Sequence, residues 1–364
     1  MIDERLKQIF EELTSIDATS GNEAPVAEYI RAFAERLGLE FSIDGAATLS
    51  SGNSGNAIVK IKGGGSYFLA SHMDTPRSIK GLKRVYLQDR ITSDGTTPLG
   101  VDDRGGLSSI LYALEKAVAE GNIKPCTLVF TVCEETTLAG STFYIPEAGI
   151  RYGFIFDSYM SPPAFVSETC GLLEFDFIFN GRSSHSGIAP EKGISAIQVA
   201  CEAITKFPYG KLGEKETGNI GKIQGGSATN VVCDQVKISG EIRSGNLKEG
   251  QRRFDKIVEE FEQVCSKYGA TLEYSSAWDF TPYHIHPEDE PYRHFDKVVR
   301  EMGLEPLPMK SMGGSDANAM NKKGVKCINL GVGAQNPHGN DEFILYEDFT
   351  RAAQIAYGLM TTTL

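Results

Sequence analysis

No segment of the chain approaches the ~20 consecutive apolar residues that a membrane-spanning helix needs. Basic charge is also short: 36 Lys and Arg face 48 Asp and Glu, for a net charge of −12. No basic patch interrupts this acidity. That argues against a nucleic-acid partner, because phosphate binding needs one. An acidic surface favours solubility instead. There is no CxxC pair. The seven cysteines (Cys126, Cys133, Cys170, Cys201, Cys233, Cys265 and Cys327) are odd in number and scattered, which reads as reduced thiols of a cytoplasmic protein. Cys133, beside two glutamates, reads as a small core residue of a strand. The absence of a G-x-S-x-G elbow disfavours a serine hydrolase. Repeats and low-complexity tracts are missing. The first residues, MIDERLKQIFEEL, are charged and amphipathic, and read as a helix and not a signal peptide.

What remains is an ordinary globular composition, 41% hydrophobic and 23% charged, over 364 residues. That length suits about two domains. Helices are predicted over 3–16 and 23–37, the second entered from SGNEAP with polar capping candidates and a Pro. AIVKIKGGGSYFLASH reads as strand–turn–strand. Arg104 to Gly121 reads as a helix, TLVFTVCEE as a strand, 138–148 as a short helix and GFIFDS as a strand. Strands alternating with helices imply an α/β layer with a mostly parallel sheet. Near residue 171 the texture changes. LLEFDFIFNG alternates apolar and polar, as a half-exposed strand does. A helix at about 192–206, the strand DQVKISGEIRSG, a long helix from Leu247 and the strand ATLEYSSAWDF follow. This β-α-β-β-α-β order suits a ferredoxin-like unit. A helix in EPYRHFDKVVREMG, a strand in VKCINLGVG and a helix over 347–360 close the chain. The expected plan is one α/β domain over 1–171 and 285–364, interrupted by a smaller α+β domain over 172–284.

The stretch FLASHMDTP ends an apolar run on His72 and Asp74, which a strand points to one face. An imidazole beside a carboxylate suits a metal ligand with the group that orients it, a catalytic pair, or a solvated turn. Other predicted strands end alike. LVFTVC runs into Glu134 and Glu135, GFIF into Asp157, and CINLGVG is followed by NPHGNDEF with His338. LGVDDRGG places Asp102 and Asp103 just before a helix, where capping is the plain reading. Taken singly, each has a bland explanation. Taken together they gather negative charge at the carboxyl edge of one sheet, where ligands of open α/β sheets collect. That costs free energy unless cations neutralise it. Asp102, Glu135, Asp157 and a shared hydroxide balance two divalent cations, with His72 and His338 neutral. Nitrogen and oxygen donors without cysteine suit zinc, and also cobalt or manganese. Glu134, beside a ligand but projecting differently, is free to act as general base.

SHMDTP, GVDDRGG, VCEETTLAGS, FDS, GRSSHSG and NPHGNDEF, in this order, resemble the dinuclear zinc exopeptidases. That superfamily includes peptidase T, carboxypeptidase G and succinyl-diaminopimelate desuccinylase, and the chain is most similar to the peptidase T group. The resemblance covers nearly the whole chain. It implies an α/β/α catalytic domain with a mixed sheet, interrupted by an α+β lid. It implies one zinc on His72 and Asp157, a second on Glu135 and His338, and Asp102 bridging them. It implies that Asp74 orients His72, that Glu134 activates the water, and that the Asp102–Asp103 peptide is cis. In the lid it implies that His185 of SSHSG stabilises the oxyanion and that Asn230 and Arg243 bind substrate. Arg suits a terminal carboxylate because its planar fork gives two parallel hydrogen bonds. GGSDAN, Gly313 to Asn318, resembles a loop that lines the site. His284, His286 and His294 match no family role and are expected between domains or at the surface. Arg104 departs from the family's usual Lys and keeps the charge.

The activity so implied is removal of the N-terminal residue from short peptides. Asp157 favours it, because relatives that are carboxypeptidases or deacylases tend to carry Glu there. The alternative on the same site is an N-acyl amino acid deacylase or carboxypeptidase; one from another class is a non-catalytic binding protein. A homodimer through the lid, a lid that closes over the site, and a cytoplasmic location complete the expectations.

Overall fold

A computed structural model describes residues 2–364 and divides into two compact units. The first runs to Glu168 and resumes over His284–Lys310 and Ser315–Leu364; the second comprises Thr169–Tyr283 with Ser311–Gly314.

The first unit is built on an eight-stranded mixed sheet. Its order is Glu40–Ile43, Ala57–Ile61, Cys126–Thr131, Tyr67–His72, Tyr152–Ser158, Lys326–Gly331, Ala164–Thr169, Leu307–Ser311. The middle four are parallel, and antiparallel strands flank them. Every residue of Tyr67–His72 and of Cys126–Thr131 is buried. Such strands are covered on both faces, hence their near-continuous apolar runs. Helix Val101–Ala119 lies against the His72 strand, and Glu4–Leu13 and Tyr346–Thr361 pack on that helix. KGGG does join two strands, but they are not neighbours: Cys126–Thr131 inserts between them. The turn passes so close to the next segment that a Cβ on Gly65 would sit 2.0 Å from the Pro125 carbonyl oxygen. A small four-stranded sheet (Ala334–Gln335, Phe343–Leu345, Arg90–Ser93, Arg84–Tyr86) was not anticipated. Its strands are two to four residues long, too short to show a period.

Two local expectations need correction. Helix Ala24–Arg36 has Pro25 in its first turn but no side-chain cap. Glu23, at the capping position, instead accepts from the backbone N–H of Gly21 and Cys133, at 2.8 and 2.9 Å. His294 is not at a surface. It is fully buried on the apolar face of helix Glu290–Glu301, with Pro291, Phe295 and Val298. Its ring lies 5.1 Å from Tyr67 and 5.4 Å from Phe154, centroid to centroid. Its nitrogens meet the Tyr152 hydroxyl at 3.2 Å and the Thr362 carbonyl at 3.0 Å. Both polar ends are satisfied, so the imidazole can behave as a core aromatic. His284 and His286 are exposed and stacked.

The second unit has five strands in the order Gly210–Gly213, Glu216–Gly225, Gln235–Ser244, Gly171–Asn180, Thr271–Phe280, all paired antiparallel. Without its short edge strand Gly210–Gly213, this is the ferredoxin-like arrangement. Leu173, Phe175, Phe177 and Phe179 alternate onto one face, where Ala196–Ile204 and Leu247–Tyr268 supply Val199, Phe254 and Phe261. Each buried phenylalanine contributes about 1.5–3 kcal/mol. That gives a unit of this size a core of its own.

Among the described residues, no helix is long and apolar enough to cross a membrane. All seven cysteines are free, and only Cys201 is exposed.

Candidate metal centre

The parallel strands share a direction, so their carboxyl ends open on one edge. His72 is the last residue of its strand and Asp157 the sixth of seven in its own. The Cys126–Thr131 strand continues through Cys133, in left-handed backbone at φ 54, into a one-turn helix that begins with Glu134 and Glu135. Asp102 and Asp103 open helix Val101–Ala119 with non-helical backbone and a cis peptide between them. His338 follows the Lys326–Gly331 strand in a loop, at φ 67.

These segments bring the donor atoms of His72, Asp102 and Asp157 within 4.8 Å of one another, and likewise those of Asp102, Glu135 and His338. Asp102 belongs to both groups. Its Oδ1 lies 3.2 Å from His72 Nε2 and its Oδ2 lies 3.4 Å from His338 Nε2. Asp157 Oδ1 is 3.5 Å from His72 Nε2, and Glu135 Oε2 is 3.4 Å from His338 Nε2. Glu134 stands with His72 and Glu135 in a third group.

Asp74, wholly buried, ties these segments together. Its carboxylate accepts from the backbone N–H of Glu134 and of Glu135, each at 3.2 Å, and from the Ser20 hydroxyl at 2.6 Å. His72 Nδ1 lies 3.3 Å from the carboxylate but 3.0 Å from the Asp74 carbonyl oxygen. The backbone carbonyl is thus the nearer partner that fixes the imidazole and leaves Nε2 toward the acids. Asp103 turns away from the donor groups. It accepts from Ser71 Oγ, from the His72 N–H at 3.3 Å and from the Gly106 N–H at 3.1 Å. Arg104 is fully buried and donates to the Met73 carbonyl.

The electrostatics are those of a site shaped for positive charge. Burial, and then the neighbouring Asp102, push Glu135 up to about 8. Burial, with Asp102 again contributing, pushes Asp157 to about 6. Burial and the nearby Asp157 hold Glu134 well above the carboxylate range. Asp102 is instead lowered to about 2, because its burial is outweighed by hydrogen bonds with His338 and His72. Glu135 Oε1 is buried and finds no hydrogen-bond partner among the described residues. An orphaned oxygen amid crowded acids fits divalent cations, which reverse the repulsion and satisfy the lone pair. The donor set, nitrogen and oxygen without thiolate, suits zinc, cobalt or manganese.

Three buried acids nearby escaped the sequence reading of the site. Glu342 accepts from the Gly100 N–H at 2.6 Å and the Asp102 N–H at 3.0 Å. Burial and then Asp102 push it to about 7. Asp316 accepts from the Thr131 hydroxyl. It opens a helix that Ser315 and Asn318 close with a capping box, which gives part of GGSDAN a structural role. Glu23 holds the Cys133 N–H, just before Glu134. Glu342 was within reach of sequence reasoning, four residues beyond His338 in a quoted motif. Asp316 lies in GGSDAN, the loop expected to line the site, and Glu23 in SGNEAP, which reads only as a helix entry.

The second unit carries the remaining expected residues. His185 and Asn230 lie on adjacent segments, with the Ser186 N–H donating to the Asn230 carbonyl at 3.0 Å. His185 is exposed, and its Nδ1 accepts from the Gly187 N–H at 3.2 Å. The ring proton therefore sits on Nε2, which remains available. Arg243 is already engaged, by Glu241 at 2.9 Å and by the Met312 carbonyl at 2.6 Å.

Comparison with known proteins agrees with this architecture. Residues 167–271 match the M20 peptidase dimerisation domain. The uncharacterised protein YqjE of Bacillus subtilis is 30% identical over 98% of both chains. A crystal structure of the aminopeptidase PepT from Bacillus cereus superposes with a TM-score of 0.90 at 31% identity, covering 99% of this chain and 98% of that one. A tripeptidase from Staphylococcus aureus gives 0.93 at 28% identity, with the same coverage. The chain belongs to the peptidase T-like members of the M20 family and is a metallopeptidase.

Proposed function

We propose that this enzyme removes the N-terminal residue from short peptides, tripeptides among them, using two zinc ions. The observation that carries the reading is Asp102, whose carboxylate offers one oxygen to each of two ligand groups. His72 and Asp157 would hold one ion, Glu135 and His338 the other, and Asp102 both. Bound there, the pair would polarise the scissile carbonyl and lower the pKa of a water. Glu134 takes a proton from that water as its oxygen bonds to the carbonyl carbon. It then delivers the proton to the leaving amine as the C–N bond breaks, so one carboxylate serves as base and then acid. The Asp74 hydrogen bond to its backbone keeps Glu134 in place. His185, with Nε2–H free to donate, is the lid group for the oxyanion, and Asn230 and Arg243 are the groups for the peptide beyond the scissile bond.

The aminopeptidase assignment is supported by the similar structures, described as an aminopeptidase and a tripeptidase. The match to a dimerisation domain supports a homodimer formed through the second unit. Seven free cysteines support a reducing compartment, the cytoplasm.

The test is mass spectrometry of products from one tripeptide, offered to the zinc-loaded enzyme free and N-acetylated. Loss of the N-terminal residue from the free form alone is expected. Attack on the acetylated form would move the activity to the deacylase or carboxypeptidase branch.

A further inference from the structure

Glu342 is 1% exposed and stands outside all three donor groups. Its oxygens divide their work: Oε2 takes the Gly100 N–H and Oε1 the Asp102 N–H. These donors open helix Val101–Ala119, where early N–H groups have no intrahelical acceptor. Within the segment Asp103 takes the Gly106 N–H, one turn further in, so the N–H groups of Gly100 and Asp102 need another acceptor. That acceptor comes from 240 residues away in sequence, on the segment that carries His338. At Asp102 the backbone is non-helical, φ −85 and ψ 105, so the regular helix does not set the direction of this side chain. Both ends of the Asp102–His338 contact, 3.4 Å long, thus hang on one buried carboxylate.

We propose that Glu342 is a positioning residue that aims the Asp102 carboxylate between the two ligand groups and holds the His338 segment at its distance. The inference rests on the reading of Asp102 as a shared metal ligand. A cap that served the fold alone would change stability and leave ion binding untouched.

The experiment is a cobalt(II) titration of metal-free wild type and of Glu342→Gln, followed by visible d–d absorption, with circular dichroism and melting as controls of folding. Gln keeps one acceptor and turns an NH2 toward the other N–H. The expected result is a wild type that binds two ions and a folded variant that binds at least one about 10- to 100-fold more weakly, with an altered spectrum. A variant whose affinities and spectrum match wild type overturns the inference. A wild type that takes up fewer than two ions overturns the metal-centre reading itself, and this inference with it. Should Glu342→Gln fail to fold, amide exchange in the metal-free wild type decides. Protected Gly100 and Asp102 amides support the clasp, and exchange at the solvent rate overturns it.

Discussion

Asp74→Asn separates the two jobs that one buried carboxylate performs. Oδ1 faces the Glu134 N–H and the His72 ring; Oδ2 faces the Glu135 N–H and the Ser20 hydroxyl. An amide has one oxygen, and its NH2 cannot accept. With the oxygen kept on the Oδ1 side, the NH2 meets Ser20, whose hydroxyl can turn and accept, and the Glu135 N–H, which cannot. The opposite orientation sets the NH2 against both Glu134 and His72 and is worse. The His72 ring also keeps the Asp74 carbonyl at 3.0 Å. The substitution therefore frees the Glu135 backbone while leaving His72 aimed. One unmade buried hydrogen bond costs about 1–3 kcal/mol, or roughly 5- to 150-fold in an equilibrium constant. That loss should fall on the ion that Glu135 and His338 would hold. Calorimetric zinc titration gives the two affinities, and anomalous diffraction at limiting zinc shows which position empties. Wild-type affinity at both steps, or emptying on the His72 side, would refute the reasoning.

Two further outcomes follow from the site and the core. Glu134→Gln should keep metal content near wild type while kcat falls about 10²- to 10⁴-fold; a variant that keeps most of its activity assigns the base elsewhere. Burial first, against weaker opposing hydrogen bonding, lowers His294 to about 4 from its ordinary 6.5. The folded state thus holds it neutral while the unfolded chain protonates it, so its contribution is intact above pH 6.5 and is lost as pH falls toward 4. At the acid end the loss is roughly 3 kcal/mol, from about 1.4 kcal/mol per unit. His294→Gln removes this term, so the melting-temperature gap between wild type and variant should narrow from pH 7 to pH 4, and a gap independent of pH would contradict it.

The donor residues were legible because a parallel sheet writes its site into the sequence at strand ends. His72, Glu135 and Asp157 each close or follow an apolar run. Asp102 was ambiguous alone, since an acid before a helix also reads as a cap. In the structure Asp103 takes the Gly106 N–H as a cap does, while the N–H groups of Gly100 and Asp102 go to Glu342, a partner no local window contains. Glu23 and Asp316 show the same limit: each acts on the strand leading to Glu134 from a segment remote in sequence. His294 departs from expectation for a different reason. The spacing Pro291, His294, Phe295, Val298 puts it on the apolar face of its helix, and that position outweighs the polarity of the imidazole. KGGG named a turn correctly and said nothing of which strand would come to lie beside it.

The interleaving of the two units bears on how the chain is made. Most of the second unit is one continuous stretch, Thr169–Tyr283, whose own helices and strands form its core. On a ribosome it can fold as soon as it emerges. The first unit cannot. The strand Tyr152–Ser158 emerges before the second unit, yet its parallel neighbour Lys326–Gly331 comes after it. Until then that strand keeps an open, apolar edge, the kind that templates aggregation. His338 and Glu342 arrive later still, so the nascent chain can hold a finished second unit while the first still lacks a sheet partner and one histidine.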